Sequence, residues 1–285
     1  MSVKKIYRGI KAWSKTQAAV MSLFLFVAFL ILMFLASPII KVAWKEETII
    51  FWNNILVGIA TGLIGIVFTI SFVQSALDKQ AEKDEKVNEY KKVIRYSKYL
   101  GLLINEYVVY FNSVVTPLDK RGIELDKGFI SGFTLKDMSG MYYSSTLLRD
   151  GYNTPAIKKF YDAEAELANY LLRWNEEIDF KYSKNLEVLI NDFLSMSKKL
   201  DSRGNILSAL EVAGGKERLS ETITKELKNE SIDYIQQFND GQLKSNIMTP
   251  VVYLYLFLNM QQEYIIKISA EIDNIKNELE RLEAI

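Results

Sequence analysis

Cysteine and histidine are both missing from this chain of 285 residues. Without cysteine there are no disulfides, no thiolate metal sites and no cysteine nucleophile. Without histidine the commonest general base, the commonest metal ligand and the usual pH switch near neutrality are gone. Ser–His–Asp and Cys–His catalysis and histidine-based zinc or haem sites are therefore excluded. The nucleotide loops GxxxxGK[ST] and GxGxxG are also absent. Ser195 and Lys198 match SxxK, but neither SDN nor KTG accompanies them, and the match reads as chance. No catalytic, cofactor-binding or metal-binding residue is assigned, no cofactor is expected, and the chain is read as a non-enzyme.

Charge is missing from two long stretches. There are 25 uncharged residues between Lys15 and Lys41, and 30 between Glu47 and Asp78. A membrane-crossing helix needs about 20 apolar residues, so both stretches are long enough. The expected spans are about 18–40 and 49–77. The apolar run Leu23–Leu35 is longer than the h-region of a signal peptide, and Pro38 directly after Ala36-Ser37 is a poor cleavage context, so an uncleaved anchor is expected. The balance of 35 basic and 35 acidic residues hides a split. Residues 1–77 hold seven basic and two acidic residues, net +5, which leaves residues 78–285 at net −5. An acidic soluble part argues against nucleic acid as a partner.

Lys4, Lys5, Arg8, Lys11 and Lys15 precede the first stretch, and only Lys41 and Lys45 follow it. Positive residues stay on the cytoplasmic side. The N-terminus, and after two crossings the C-terminus, are thus expected in the cytoplasm, with the chain in the cell inner (plasma) membrane. The short loop 41–47 leaves no room for an external ligand-binding domain. Within residues 1–16, Val3, Ile6, Tyr7, Ile10 and Trp13 recur at helical spacing between the lysines. That is an interfacial amphipathic pattern, with Trp13 at headgroup depth. It reads as an ordinary topology-setting flank ahead of a site that captures anionic lipid.

The second stretch differs from the first. Asn54, Gly58, Thr61, Gly62, Gly65 and Thr69 fall on one helix face, and Gly58 and Gly62 form a GxxxG pair that permits close helix approach. Three uses are open: packing against the first span, self-association between chains, or lining a water-filled pore.

Residues 78–285 read as all-helical. Val87, Tyr90, Ile94, Ser97, Gly101, Ile104, Val108, Phe111 and Val115 alternate at three and four residues up to Pro117, which predicts a long helix continuous with the second span. Residues 117–134 read as an irregular connection. Thr134 with Asp137 resembles a capping box. Helices are expected from Thr154-Pro155 through Ile178, from Ser183 through Leu200 with Gly204 beyond its end, and from Pro250 to the C-terminus. Residues 214–241, with breaks at Gly214-Gly215 and Gly241, are less regular. Asp162, Glu164 and Glu166 are spread around their helix and read as a solvated face. The aromatic residues between Tyr90 and Tyr264 read as core. The uncharged stretch 245–262 reads as a core helix in preference to a third span. The last helix carries a stripe of Ile265, Ile268, Ile272, Ile275, Leu279 and Leu282. Such a stripe suits a parallel coiled coil of three or four chains. Pairing with the 87–115 stripe within one chain is the favoured alternative.

The expected architecture is all-α: an N-terminal two-helix transmembrane hairpin (17–77), then a cytoplasmic helical bundle (78–285) with long heptad-patterned first and last helices. The lipid bilayer, further copies of the chain and a cytoplasmic protein are the expected partners. This layout is similar, in architecture alone, to that of bacterial two-pass proteins of phage-defence and abortive-infection type. It implies an effector that senses a signal through the bundle and acts on the membrane through the hairpin. A non-enzymatic tether that holds a cytoplasmic partner at the membrane is the alternative.

Overall fold

The computed structural model describes residues 25, 27, 29, 46–121, 128–145, 154–211, 218–244 and 246–284. Between residues 48 and 71 the backbone is described throughout and the side chains in part. The basic segment with Lys4, Lys5, Arg8, Lys11, Trp13 and Lys15, and most of the expected first span, lie outside the described residues. Every long element is helical. Among the described residues there is no strand, and Ser144 and Pro155 form an isolated antiparallel bridge.

Helix α1 runs unbroken over Glu46–Val115, consistent with the absence of proline between Pro38 and Pro117. Then come α2 (Ala156–Glu177), α3 (Lys184–Lys199), α4 (Arg203–Ser208), α5 (Leu219–Lys228), α6 (Tyr234–Asn239) and α7 (Thr249–Glu283). Two short 3-10 segments, Leu118–Lys120 and Leu135–Gly140, lie between α1 and α2. The second opens with the Thr134/Asp137 capping box, but it stays 3-10. Gly204 lies beyond the end of α3 as expected, and falls inside the short helix α4. The chain divides into two units, Met1–Lys83 and Asp84–Ile285.

In the first unit, taken by itself, the described residues contain no helix long and apolar enough to cross a membrane. Many apolar side chains of the second charge-free stretch, among them Leu56, Ile59, Leu63, Ile64, Ile66, Val67 and Phe68, lie outside the described set.

The second unit is built on one core. From α2 it takes Ile157, Phe160, Leu167, Leu171 and Trp174, and from α3 Leu186, Ile190, Phe193 and Met196. These follow the three- and four-residue spacing of an amphipathic helix. Burying each large apolar side chain contributes about 1.5–3 kcal/mol. The α1 stripe is wider than the heptad reading: Tyr90, Val108, Phe111 and Val115 are buried as expected, Val87, Ile94 and Ile104 pack against the core, and further positions join them. Leu100 and Leu103 are buried, Gly101 is exposed, and Tyr107, Tyr110 and Val114 join Phe111 inside. The cause is that α1 has neighbours on two sides. Tyr96 meets Trp174 of α2 edge-on, with centroids 6.1 Å apart. Towards the other side, Lys86 pairs with Glu278 at 2.5 Å and Lys91 with Glu283 at 2.7 Å, while Tyr107 reaches Gln261 of α7. These pairs make α1 and α7 antiparallel neighbours. A helix wedged between two partners buries a wider face than an a/d seam.

In α7, Ile265, Ile268, Ile275 and Leu279 are buried, and Ile272 and Leu282 are packed against the core. Val251, Val252, Leu254, Phe257 and Leu258 of the uncharged 245–262 stretch are also core.

The α2–α3 connector is folded onto α1. Glu89 accepts hydrogen bonds from the Tyr182 amide at 3.0 Å and from the Ser183 hydroxyl at 2.6 Å, and Lys181 pairs with Glu85 at 2.7 Å. Inside this connector Phe180 holds φ +45° with its ring buried. A left-handed phenylalanine is unfavourable alone and persists where surrounding contacts fix it. Past α6, Gly241 at φ +70° forms a Schellman ending, with the Gln242 amide donating to the Gln237 carbonyl at 2.8 Å.

Candidate functional site

Glu164 of α2 is the centre of a buried polar cluster in the helical unit. Its neighbours Asp162 and Glu166 are exposed, but Glu164 is 3% exposed. The solvated-face expectation therefore holds for the two flanking carboxylates and fails for this one. The reason is helical register: positions 157, 160, 164, 167, 171 and 174 follow one another by three or four residues, so Glu164 lies on the apolar face of α2. That register is readable in the sequence; what makes the burial tolerable is contributed by three other elements.

Arg203, at the start of α4, forms an ion pair with Glu164 Oε2. The Ser197 hydroxyl of α3 donates to Glu164 Oε1 at 3.0 Å, and Gln261 Nε2 of α7 lies 3.3 Å from the same oxygen and 3.1 Å from Ser197 Oγ. Tyr107 of α1 donates to Gln261 Oε1. One hydrogen-bonded chain thus links α1, α7, α3, α2 and α4. Arg203 also lies over the Tyr161 ring, 5.2 Å from its centroid. Tyr161 OH is 3.4 Å from Ser202 Oγ.

Burial raises the Glu164 pKa above the ordinary carboxylate range, and Arg203, Ser197 and Gln261 pull it back down. Burial likewise raises the tyrosines Tyr107 and Tyr161. Beside the pair is a hollow of about 10 Å³ lined by Tyr161, Glu164, Ser197, Ser202, Arg203 and Phe257. That is the size of one water, not of a substrate. Arg203 Nε is buried with no hydrogen-bond partner among the described residues and needs such a water. Both Glu164 oxygens are already engaged. The cluster therefore fixes how five helices meet; it has neither the space nor a free base for covalent chemistry.

The residues expected to carry a helix-packing or pore face lie elsewhere, on α1. Asn54, Gly58, Thr61, Gly62, Gly65 and Thr69 are all exposed. A Cβ built on Gly58, Gly62 or Gly65 meets nothing within 4 Å. Thr61 Oγ1 donates to the Val57 carbonyl at 2.8 Å, and Thr69 Oγ1 to the Gly65 carbonyl at 2.9 Å, so both hydroxyls are satisfied within their own helix. Ser195 and Lys198 are exposed and take no part in the Glu164 cluster. Among the described residues no group of three acidic side chains is placed to hold a metal ion. No protein-family model, curated protein or solved structure matches this chain.

Proposed function

We propose that this chain is a two-pass protein of the inner membrane, with a cytoplasmic helical domain that senses or binds a partner and an oligomerised hairpin that acts on the bilayer. The observation that carries this reading is the pair of charge-free stretches, 25 and 30 residues long, with five lysines and arginines ahead of the first. Each is long enough to span the hydrocarbon, and the basic flank sets the orientation. The face of Gly58, Gly62 and Gly65, with open space over each Cα, supports association between hairpins through close backbone contact. Its threonine hydroxyls, spent on their own helix, favour this over a water-lined pore face. The protein belongs, on this reading, with antiviral effectors of the membrane-perturbing kind.

A reporter enzyme fused after Ile285 tests the topology; activity in the cytoplasm is expected, and activity outside overturns it. A membrane-potential dye tests the action. Expression or triggering depolarises cells, and Gly62→Leu, which fills the open face, abolishes that effect. Replacing both hairpin helices with unrelated spans separates the alternatives: an effector loses its activity in the chimera, whereas a tether keeps it.

A further inference from the structure

We propose that the groove between segment 142–144 and α5 binds a small phosphate-bearing molecule. Its volume is about 590 Å³, within the range of about 300–1,000 Å³ typical of small-molecule sites. Among the described residues, Arg218 and Lys228 bring positive charge to its lining, where Lys225 and the acid Glu221 also stand. The spacing of Glu221, Lys225 and Lys228, four and then three residues apart, puts them on one face of α5. This cationic concavity belongs to a soluble part whose net charge is −5, so the local excess runs against the sign of its surroundings.

A further cation, Arg121, lies behind the wall of the groove. Ser144, a lining residue, gives its carbonyl to Arg121 Nη1 at 2.8 Å. The same guanidinium is held by the Thr116 carbonyl at 3.2 Å and the Gly140 carbonyl at 2.6 Å. Among the described residues these three partners are neutral carbonyls, which satisfy hydrogen bonds without supplying a counter-charge. Burial pushes the Arg121 pKa down to about 10, because desolvation disfavours the charged form. An anion in the groove supplies part of the counter-charge.

The groove has the volume of one small ligand, unlike the broad basic surface that nucleic acid requires. Arginine and lysine together suit phosphate, the first as a planar fork and the second as a point charge. The Tyr143 ring, 45% exposed at the rim, offers a stacking face to a flat ring such as a nucleobase. The site stands apart from the membrane reading, and either can fail alone.

Equilibrium dialysis of the full chain in detergent, with ADP and with inorganic pyrophosphate as separate probes, tests it. Saturable binding of one ligand per chain is expected, with ADP ahead of pyrophosphate if Tyr143 stacks. Arg218→Glu and Lys228→Glu each weaken binding by about tenfold or more, the scale of a lost charge-assisted contact. Lys184→Glu, on exposed α3 surface, changes it little. Far-UV circular dichroism confirms that the variants are folded, and Arg218→Gln, which removes the charge without reversing it, replaces any that is not. Absence of saturable binding of both probes overturns the proposal. So does binding that survives both reversals, or that Lys184→Glu weakens equally.

Discussion

Tyr107 of α1 donates its hydroxyl hydrogen to the carboxamide oxygen of Gln261 on α7, and both side chains are completely buried. The bond closes one end of the chain that leads through Ser197 to Glu164 and Arg203. Buried polar groups of this kind are costly when only one partner remains.

Tyr107→Phe leaves the Gln261 oxygen without its donor. The expected loss is about 1–3 kcal/mol in unfolding free energy, measured by urea titration of the full chain in detergent with circular dichroism. Gln261→Leu costs at least as much, since Glu164 and Ser197 lose a donor too. The double variant costs less than the sum of the singles, because both remove the same bond. Strict additivity shows that the two side chains are not energetically coupled.

Glu164 imposes a pH dependence whose sign follows from its raised pKa. The folded protein holds this proton more tightly than the unfolded chain does. Its contribution is therefore favourable at low pH and is lost as pH rises from the ordinary carboxylate range through the raised folded value. Glu164→Gln is neutral throughout. The unfolding free energy of the native chain, relative to Glu164→Gln, is expected to fall as pH is raised across that window. Parallel curves contradict the assignment.

Gly140→Ala tests the seat of Arg121. A Cβ on Gly140 comes 2.8 Å from Arg121 Nη2 and 3.1 Å from both the Leu118 amide nitrogen and the Thr116 carbonyl oxygen. The guanidinium is the far end of a long side chain, but three carbonyls hold it in place, and the other two atoms are backbone. The variant is expected to lose about 1–3 kcal/mol, the range for overpacking, read as a lowered urea midpoint. An unchanged midpoint shows that the segment yields freely.

The helical class and most of the core were legible because α2, α3 and α7 place their apolar residues at the spacing of one helix face. Phe160, Leu167, Leu171 and Trp174 lie where that spacing puts them. The α1 stripe is read too narrowly, because a heptad assumes one partner and α1 has two, so Val93, Leu100, Leu103, Tyr107, Tyr110 and Val114 are buried as well. Glu164 was readable from register yet assigned to solvent, since charge outweighs position when its counter-ion lies 39 residues away on a six-residue helix. Arg203 carries no local signal at all: its role depends on a long-range contact. The groove beside α5 was equally hidden, because Arg121, Ser144 and Arg218 are brought together only by the folded chain.

The way Glu89 holds the α2–α3 connector bears on how this protein is to be handled. Residues 178–183 have the length and polarity of a spot where an engineer would place an affinity tag or a fluorescent label. Yet the Tyr182 amide and the Ser183 hydroxyl are tied to Glu89, and Phe180 fills the core from a left-handed backbone. Any insert there separates α1 from the turn that α2 and α3 share. The exposed backs of α2 and α3, at Asn169 and Asp192, are the better attachment points for a probe.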